Sequence, residues 1–267
     1  MTNTQRIIKY LAVAFAIFLV FSILSLIISG IMSLTNIFGD NEKGDFKNIN
    51  VSNNSLILDI DVSRVNVIIK KGNEFKTETN NKYIKARQNG DKLYITEKSH
   101  SIFNNDNSDL VVYIPSDYIF DSVAIESGAG RIDVETLSCK KLYLDLGVGK
   151  VNMDNLLVLN ETEIDGGAGT ITIEDSSLNN LDLDMGMGKL SLTSKITGES
   201  EIDAGVGEVD LNLIGTINDY KIKLDKGIGS AKLNKENMKS NIYYGSGLNT
   251  IDIDGGVGSI KIDFLDI

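Results

Sequence analysis

The sequence predicts an all-β protein built as a single β-solenoid, a stack of 19- to 20-residue coils, preceded by one transmembrane α-helix. Three observations predict it: a Gly-x-Gly motif that recurs at a nearly fixed period, an alternating apolar pattern on both sides of each motif, and a long uncharged run near the N-terminus. The first glycines fall at Gly128, Gly147, Gly167, Gly186, Gly205, Gly227 and Gly256, in steps of 19, 20, 19, 19, 22 and 29 residues. The second glycines are Gly130, Gly149, Gly169, Gly188, Gly207, Gly229 and Gly258. A period of this length marks a repeat architecture in which one coil cannot bury its apolar face alone and must stack on its neighbours.

Aligned on the first glycine, the repeats separate inside from outside, because successive strand residues point to opposite faces. Three residues earlier stand Ile125, Leu144, Ile164, Leu183, Ile202, Leu224 and Ile253, a branched aliphatic column assigned to the core. Pairs four and six residues later, such as Ile132 and Val134 or Leu190 and Leu192, are assigned to it as well. The residues between the glycines, Ala129, Val148, Ala168, Met187, Val206, Ile228 and Val257, are apolar and are also expected inside. Each coil therefore reads as two strands joined at a glycine corner, where a residue without Cβ permits a sharp bend and close approach of neighbouring coils.

The uncharged run spans Tyr10 to Gly39. About 20 apolar residues suffice to cross a bilayer, so residues 10–34 are expected to form a transmembrane helix. The run is too long for a signal-peptide apolar region and lacks a small-residue cleavage site, which favours an uncleaved anchor. Arg6 and Lys9 precede it and Asp40 and Glu42 follow, placing the stub 1–9 in the cytoplasm and the rest outside the cell. That exterior part carries 24 Lys and Arg against 37 Asp and Glu, a net charge of −13, which argues against nucleic acid and against a polybasic grip on lipid. Residues 35–54 read as a polar linker. Residues 55–120 read as an irregular N-terminal part of the solenoid with a cap, and residues 121–267 as the regular array.

Within 55–120, Leu58 to Val67 repeats the coil pattern with Asp61-Val62-Ser63 in place of Gly-x-Gly, and Asn89-Gly90-Asp91 joins a hairpin. Tyr243-Tyr244-Gly245-Ser246-Gly247 sits in the longest step and reads as a degenerate or looped-out coil.

The sharpest polar feature is an acid two residues before each first glycine: Glu126, Asp145, Asp165, Asp184, Asp203, Asp225 and Asp254. Stacked, these carboxylates form a ladder with neighbours about 5 Å apart, whose mutual repulsion calls for compensation. A row of Ca²⁺ ions would supply it, since hard cations take carboxylate oxygens. Two simpler devices would serve as well: Arg131, Lys150 and Lys189 could pair across the corner with Glu126, Asp145 and Asp184, or each acid could accept backbone N–H groups as Asp does in turns. Calcium-binding β-rolls place Asp where Gly166-Gly167-Ala168-Gly169-Thr170-Ile171 and Gly255-Gly256-Val257-Gly258-Ser259-Ile260 have Ile, which weighs against the metal ladder. No other cofactor is expected.

Enzymatic chemistry lacks its usual parts. No helix pattern follows any Gly-x-Gly, as phosphate loops require. His100 is the single histidine, in a polar segment, and the single Cys139 stands beside Lys140 and Lys141, cations that can lower a thiol pKa.

Leu58 to Val67, the run Leu110 to Pro115 leading into Val123-Ala124-Ile125, and the Gly-x-Gly coils together resemble the bacterial "putative adhesin" family of β-strand-repeat domains, a domain of unknown function. The resemblance covers roughly residues 55–264 and implies the repeat fold; it implies no catalytic or ligand residue. The expectation is a single-pass cell-membrane protein with its C-terminal domain outside. It would be a non-catalytic binding or structural module whose partner is a surface polymer or protein. The alternatives are a regulatory accessory to a membrane partner, acting in envelope stress, and a polysaccharide-acting enzyme.

Overall fold

The computed structural model describes residues 45–49, 55–98 and 108–266, and all regular structure in them is β. Among the described residues no helix is long and apolar enough to cross a membrane; the expected span 10–34 and His100 lie outside them.

The strands are β1 (Lys47–Ile49), β2 (Ile57–Val62), β3 (Asn66–Lys71), β4 (Lys76–Thr79), β5 (Ile84–Asn89), β6 (Lys92–Glu97), β7 (Asp109–Ile114), β8 (Ile119–Val134), β9 (Leu137–Asp154), β10 (Leu156–Asn179), β11 (Leu181–Thr197), β12 (Glu199–Ile214), β13 (Tyr220–Asp225), β14 (Ile228–Leu233), β15 (Glu236–Asn237), β16 (Tyr243–Tyr244) and β17 (Asn249–Leu265). The long ones are long because their ladders continue around corners. Parallel, in-register pairing joins β8 to β9, β9 to β10, β10 to β11 and β11 to β12, so that equivalent residues stack coil on coil.

The alternating pattern explains the burial. Ile125, Leu144, Ile164, Leu183, Ile202, Leu224 and Ile253 are all buried, as are Ile132, Val151, Ile171, Leu190, Val209 and Ile260 on the other side of the corner. They form one continuous apolar column system that closes at each end on aromatic rings. Phe75, Tyr118 and Phe120 pack together at the N-terminal end, and Tyr220 lies against Phe264 at the other.

Each coil has a third strand that the two-strand reading missed. Leu137–Cys139 pairs with Leu156–Val158, and Ser176–Asn179 with Ser194–Thr197. Its inner positions include the buried Ser176 and Ser194, which break the apolar alternation. Its corners turn on Asn155, Asp175 and Asn180 at φ 52, 49 and 46°, residues that tolerate the left-handed region. Their amides also tie coils together: Asn180 Nδ2 donates to Asn160 O at 2.8 Å, and Glu199 N donates to Asn180 Oδ1 at 3.1 Å.

The residues between the glycines are not core. Val148 is 43% and Ile228 61% exposed, and the others of that column are partly exposed. Two glycines turn the chain so sharply that the middle residue sits on the outer apex, and period-two counting does not carry across the bend.

The order of coils departs from the order of the chain at both ends. Strand β17 lies between β12 on one side and β13 with β14 on the other, so the coil last in sequence is second to last in space. Strands β2 and β3 likewise lie between β8 and the outer coil made by β6 and β7. Short antiparallel strands finish the ends, β1, β4 and β5 at one and β15 and β16 at the other. Tyr243 and Tyr244 therefore belong to a cap strand against Lys223 and Ile222 and not to a coil.

Two local registers also differ from expectation. Asp61 pairs with Glu126, so the first coil turns at Ser63-Arg64-Val65, two residues later than the Asp61-Val62-Ser63 reading. In the hairpin, Asn89 pairs with Lys92, leaving Gly90 and Asp91 as the two central residues, with Gly90 at φ 62°.

Candidate functional site: an acidic strand face

The glycine corners set the geometry of the outer faces. The carbonyl oxygen of each coil occupies the space where a Cβ on the next would stand: Gly188 faces Gly169 O, and Gly147 faces Gly128 O. Gly188 also sits at φ 138°, a conformation L side chains rarely adopt. Neighbouring backbones thus approach closely, and the residues flanking the corner are held in straight columns.

The predicted acids fall into one such column. Following the pairing, it runs Asp61, Glu126, Asp145, Asp165, Asp184, Asp203, Asp254 and Asp225, which adds Asp61 and places Asp254 between Asp203 and Asp225. Beside it runs a second column, two residues earlier in each strand, that sequence reasoning passed over: Glu163, Asp182, Glu201 and Asp252 are successive register partners. Its signal was present in the same alignment, obscured by Ala124, Tyr143 and Lys223 at equivalent positions.

Neither simple compensation for the ladder is realised at its centre. Arg131 pairs with Asp133 at 2.5 Å, and Lys189 lies 3.3 Å from both Glu208 and Asp210, on the strands after the corner. Among the described residues no Lys or Arg lies within 4.0 Å of Glu126, Asp145 or Asp184, and none pairs with Glu163, Asp165, Asp182, Glu201, Asp203 or Asp254. Among the described residues the second column, which Asp59 continues as the register partner of Ala124, meets a cation only at its flanks, through Lys92 with Asp59 at 2.8 Å and Lys223 with Asp252 at 3.6 Å. Among the described residues backbone donation reaches one ladder acid, Asp225, from Gly227 N at 3.4 Å.

The electrostatic consequence is a set of carboxyls that hold protons more tightly than usual. Partial burial, followed by repulsion from Asp184, Asp145 and Asp182, raises Asp165. Partial burial and the neighbouring acids raise Glu163 and Asp203 too, whereas Glu201 is raised first by repulsion from Asp203. The face beyond the corner is balanced by contrast, with Asn152 Nδ2 donating to Asp133 Oδ1 at 2.7 Å beside the Arg131 pair.

Cys139 is fully buried on the third strand, and burial pushes its thiol up to about 12, which removes the activated-thiol reading.

Residues 57–254 match the model of the Toastrack DUF4097 family. The chain belongs to the Toastrack DUF4097 family. The structure of a "putative adhesin" from Bacteroides fragilis is similar at 15% identity, covering 83% of this chain and 98% of its own, with a TM-score of 0.54. A "putative cell adhesion protein" from Clostridium sporogenes is similar at 20% identity, covering 84% of this chain and all of its own, with a TM-score of 0.40. No curated protein matches the chain. The Bacteroides fragilis structure supports the all-β, stacked-strand fold of this Toastrack DUF4097 protein.

Proposed function

We propose that this Toastrack DUF4097 protein is a non-catalytic surface module, held at the cell membrane by residues 10–34 with its coils outside, that docks an extended, positively charged partner along its acidic strand face. The observation that carries the reading is the double column of carboxylates from Glu163 and Asp165 to Asp252 and Asp254, in which Glu163, Asp165, Asp182, Asp184, Glu201 and Asp203 have no cationic partner within 4.0 Å among the described residues. Carboxylates repeated on successive parallel strands at about 4.8 Å per strand present one sign of charge in a line, which steers and orients a long cationic ligand. The similar Bacteroides fragilis protein is named a "putative adhesin", and adhesion is a task such a face serves.

The test is charge reversal in the full-length protein on cells. Asp182→Lys with Asp184→Lys should reduce capture of crosslinked partners several-fold and leave the strand signal in circular dichroism intact. Unchanged capture would sink the docking face. Loss of a catalysed turnover on replacing one ladder acid would favour an enzyme instead.

A further inference from the structure

One end of the array has the opposite charge from the rest. Residues 76–98, which form β4, β5 and β6, carry six Lys and Arg against three Asp and Glu, whereas residues 108–266 carry 13 against 27. The net charge of −13 that argued against a grip on lipid is therefore an average over two unlike regions. Among the described residues β5 pairs with β6 alone and β1 with β4 alone, so these two strands are the edges of the N-terminal end.

The two acidic columns begin at that end with cations. Lys85 leads through its partner Thr96 to Asp61, the head of the ladder, and Arg87 leads through Tyr94 to Asp59. Both are exposed, as is Lys47 on β1, and among the described residues no acid lies within 4.0 Å of any of them. Asp59 is neutralised by Lys92 at 2.8 Å. Phe46, next to Lys47, is 47% exposed.

Distance separates this end from the unpaired acids. Strands stand about 4.8 Å apart, so Asp61 lies two strands or about 10 Å in from β5, and Glu163 and Asp165 lie five strands or about 24 Å in. The Debye length at physiological salt is about 8 Å, so a negative surface at the N-terminal end meets the cations directly and the acids of β10 only through screening. The chain enters here as well. The expected span ends at residue 34 and the described structure begins at 45, and the ten residues 35–44 reach at most about 36 Å when fully extended.

We propose that Lys47, Lys85 and Arg87, with Phe46 at headgroup depth, dock the N-terminal end of the array on the anionic phospholipid headgroups of the membrane that holds the chain. Lysine and arginine are drawn to such a surface, and aromatic rings settle at its headgroup level. The same surface repels the acidic columns, so the stack rises away from it. The inference rests on the membrane anchoring proposed above, but not on a partner for the acidic face.

The experiment places the full-length protein in phosphatidylcholine nanodiscs with and without phosphatidylglycerol. Cys139 is buried, so a fluorophore goes to one introduced cysteine: Asn48→Cys beside Lys47, or Leu248→Cys toward the other end, where Leu248 is 95% exposed. Co-elution with the discs reads the anchor, and quenching of the fluorophore by acrylamide reads the docking. Phosphatidylglycerol should reduce quenching at Asn48→Cys several-fold and leave Leu248→Cys unchanged. Adding about 1 M NaCl, which shortens the Debye length to about 3 Å, should reverse the effect. Lys47→Gln, Lys85→Gln and Arg87→Gln together should abolish it at an unchanged melting temperature, since all three side chains are exposed. Were that variant to misfold, the parent's response to lipid and salt decides alone. Equal quenching in the two discs, or equal protection of the Leu248→Cys label, would overturn the docking and leave the anchor standing. Protein that co-elutes with neither disc has lost the anchor and the docking with it. Edge strands also carry lysine to repel other strands; if the combined substitution provokes self-association and the parent shows no lipid effect, the cations guard the edge and the proposal falls.

Discussion

At the scale of single residues the stack is least forgiving where backbones touch and where the core column runs. Gly188→Ala forces a Cβ against the carbonyl of Gly169 at a φ of 138°, and should cost about 2 kcal/mol or more in urea unfolding. Gly128→Ala is the matched control. Its Cβ would stand 3.0 Å from Ser63 O, and no unusual φ is required, so a smaller loss is expected; equal losses would mean that the glycine columns are not what sets the spacing. Ile164 is 0% exposed, and Ile164→Asp should lower the melting temperature by about 10 °C or more, the effect of an unpaired buried carboxylate on the order of 4 kcal/mol. Cys139 should resist thiol reagents in the native protein and react at once in denaturant, because burial and not the adjacent lysines governs its pKa. Rapid native labelling would contradict that.

At the scale of strands and faces, charge is the feature that responds to conditions. Glu163 and Asp165 bind protons more tightly folded than unfolded, so the native chain takes up more protons in the window between the ordinary carboxylate range and their raised values. Stability contributed there grows as pH falls through that window and persists below it. Glu161 and Asp219, whose carboxyls are held low by Lys141 and Thr216 respectively, act in the opposite sense and lose their contribution at lower pH. In chelator, the change in melting temperature from pH 7 to pH 5 should therefore be more favourable in the parent than in a Glu163→Gln, Asp165→Asn variant. Identical pH slopes would show that the face is not under strain. The strand pattern itself was legible because aliphatic side chains at period two dictate which face is buried. The third strand was not, since it is short, buries serines and turns on Asn instead of Gly. The acidic ladder was legible as a column, but its partners were not: Arg131 and Lys189 have acids nearer along their own face, and sequence spacing cannot choose between them.

For the molecule as a whole, the repeat and its approximate extent follow from the glycine spacing, but the order of the coils does not. Every coil offers the same columns, so Asp254 matches Asp203 as well as Asp225 would, and only the 22- and 29-residue steps hinted at a change of path. This ordering makes a prediction about the C-terminus. Removing residues 249–267 takes away the coil on which β13 and β14 rest, so hydrogen-exchange protection of residues 220–233 should fall to loop values, although none of them is deleted. Retained protection would mean that they restack directly on β12.

The buried position of the end segments also determines how the array meets mechanical force. Strand β2 is flanked by β6 and β8, and β17 by β12 and β13. A pull applied through residues 55 and 266 cannot peel an outermost coil from its neighbour one hydrogen bond at a time. It must draw a strand out from between two others and break the ladders on both sides of it, so the ends of the array are clamped where an outermost coil would be free to unzip.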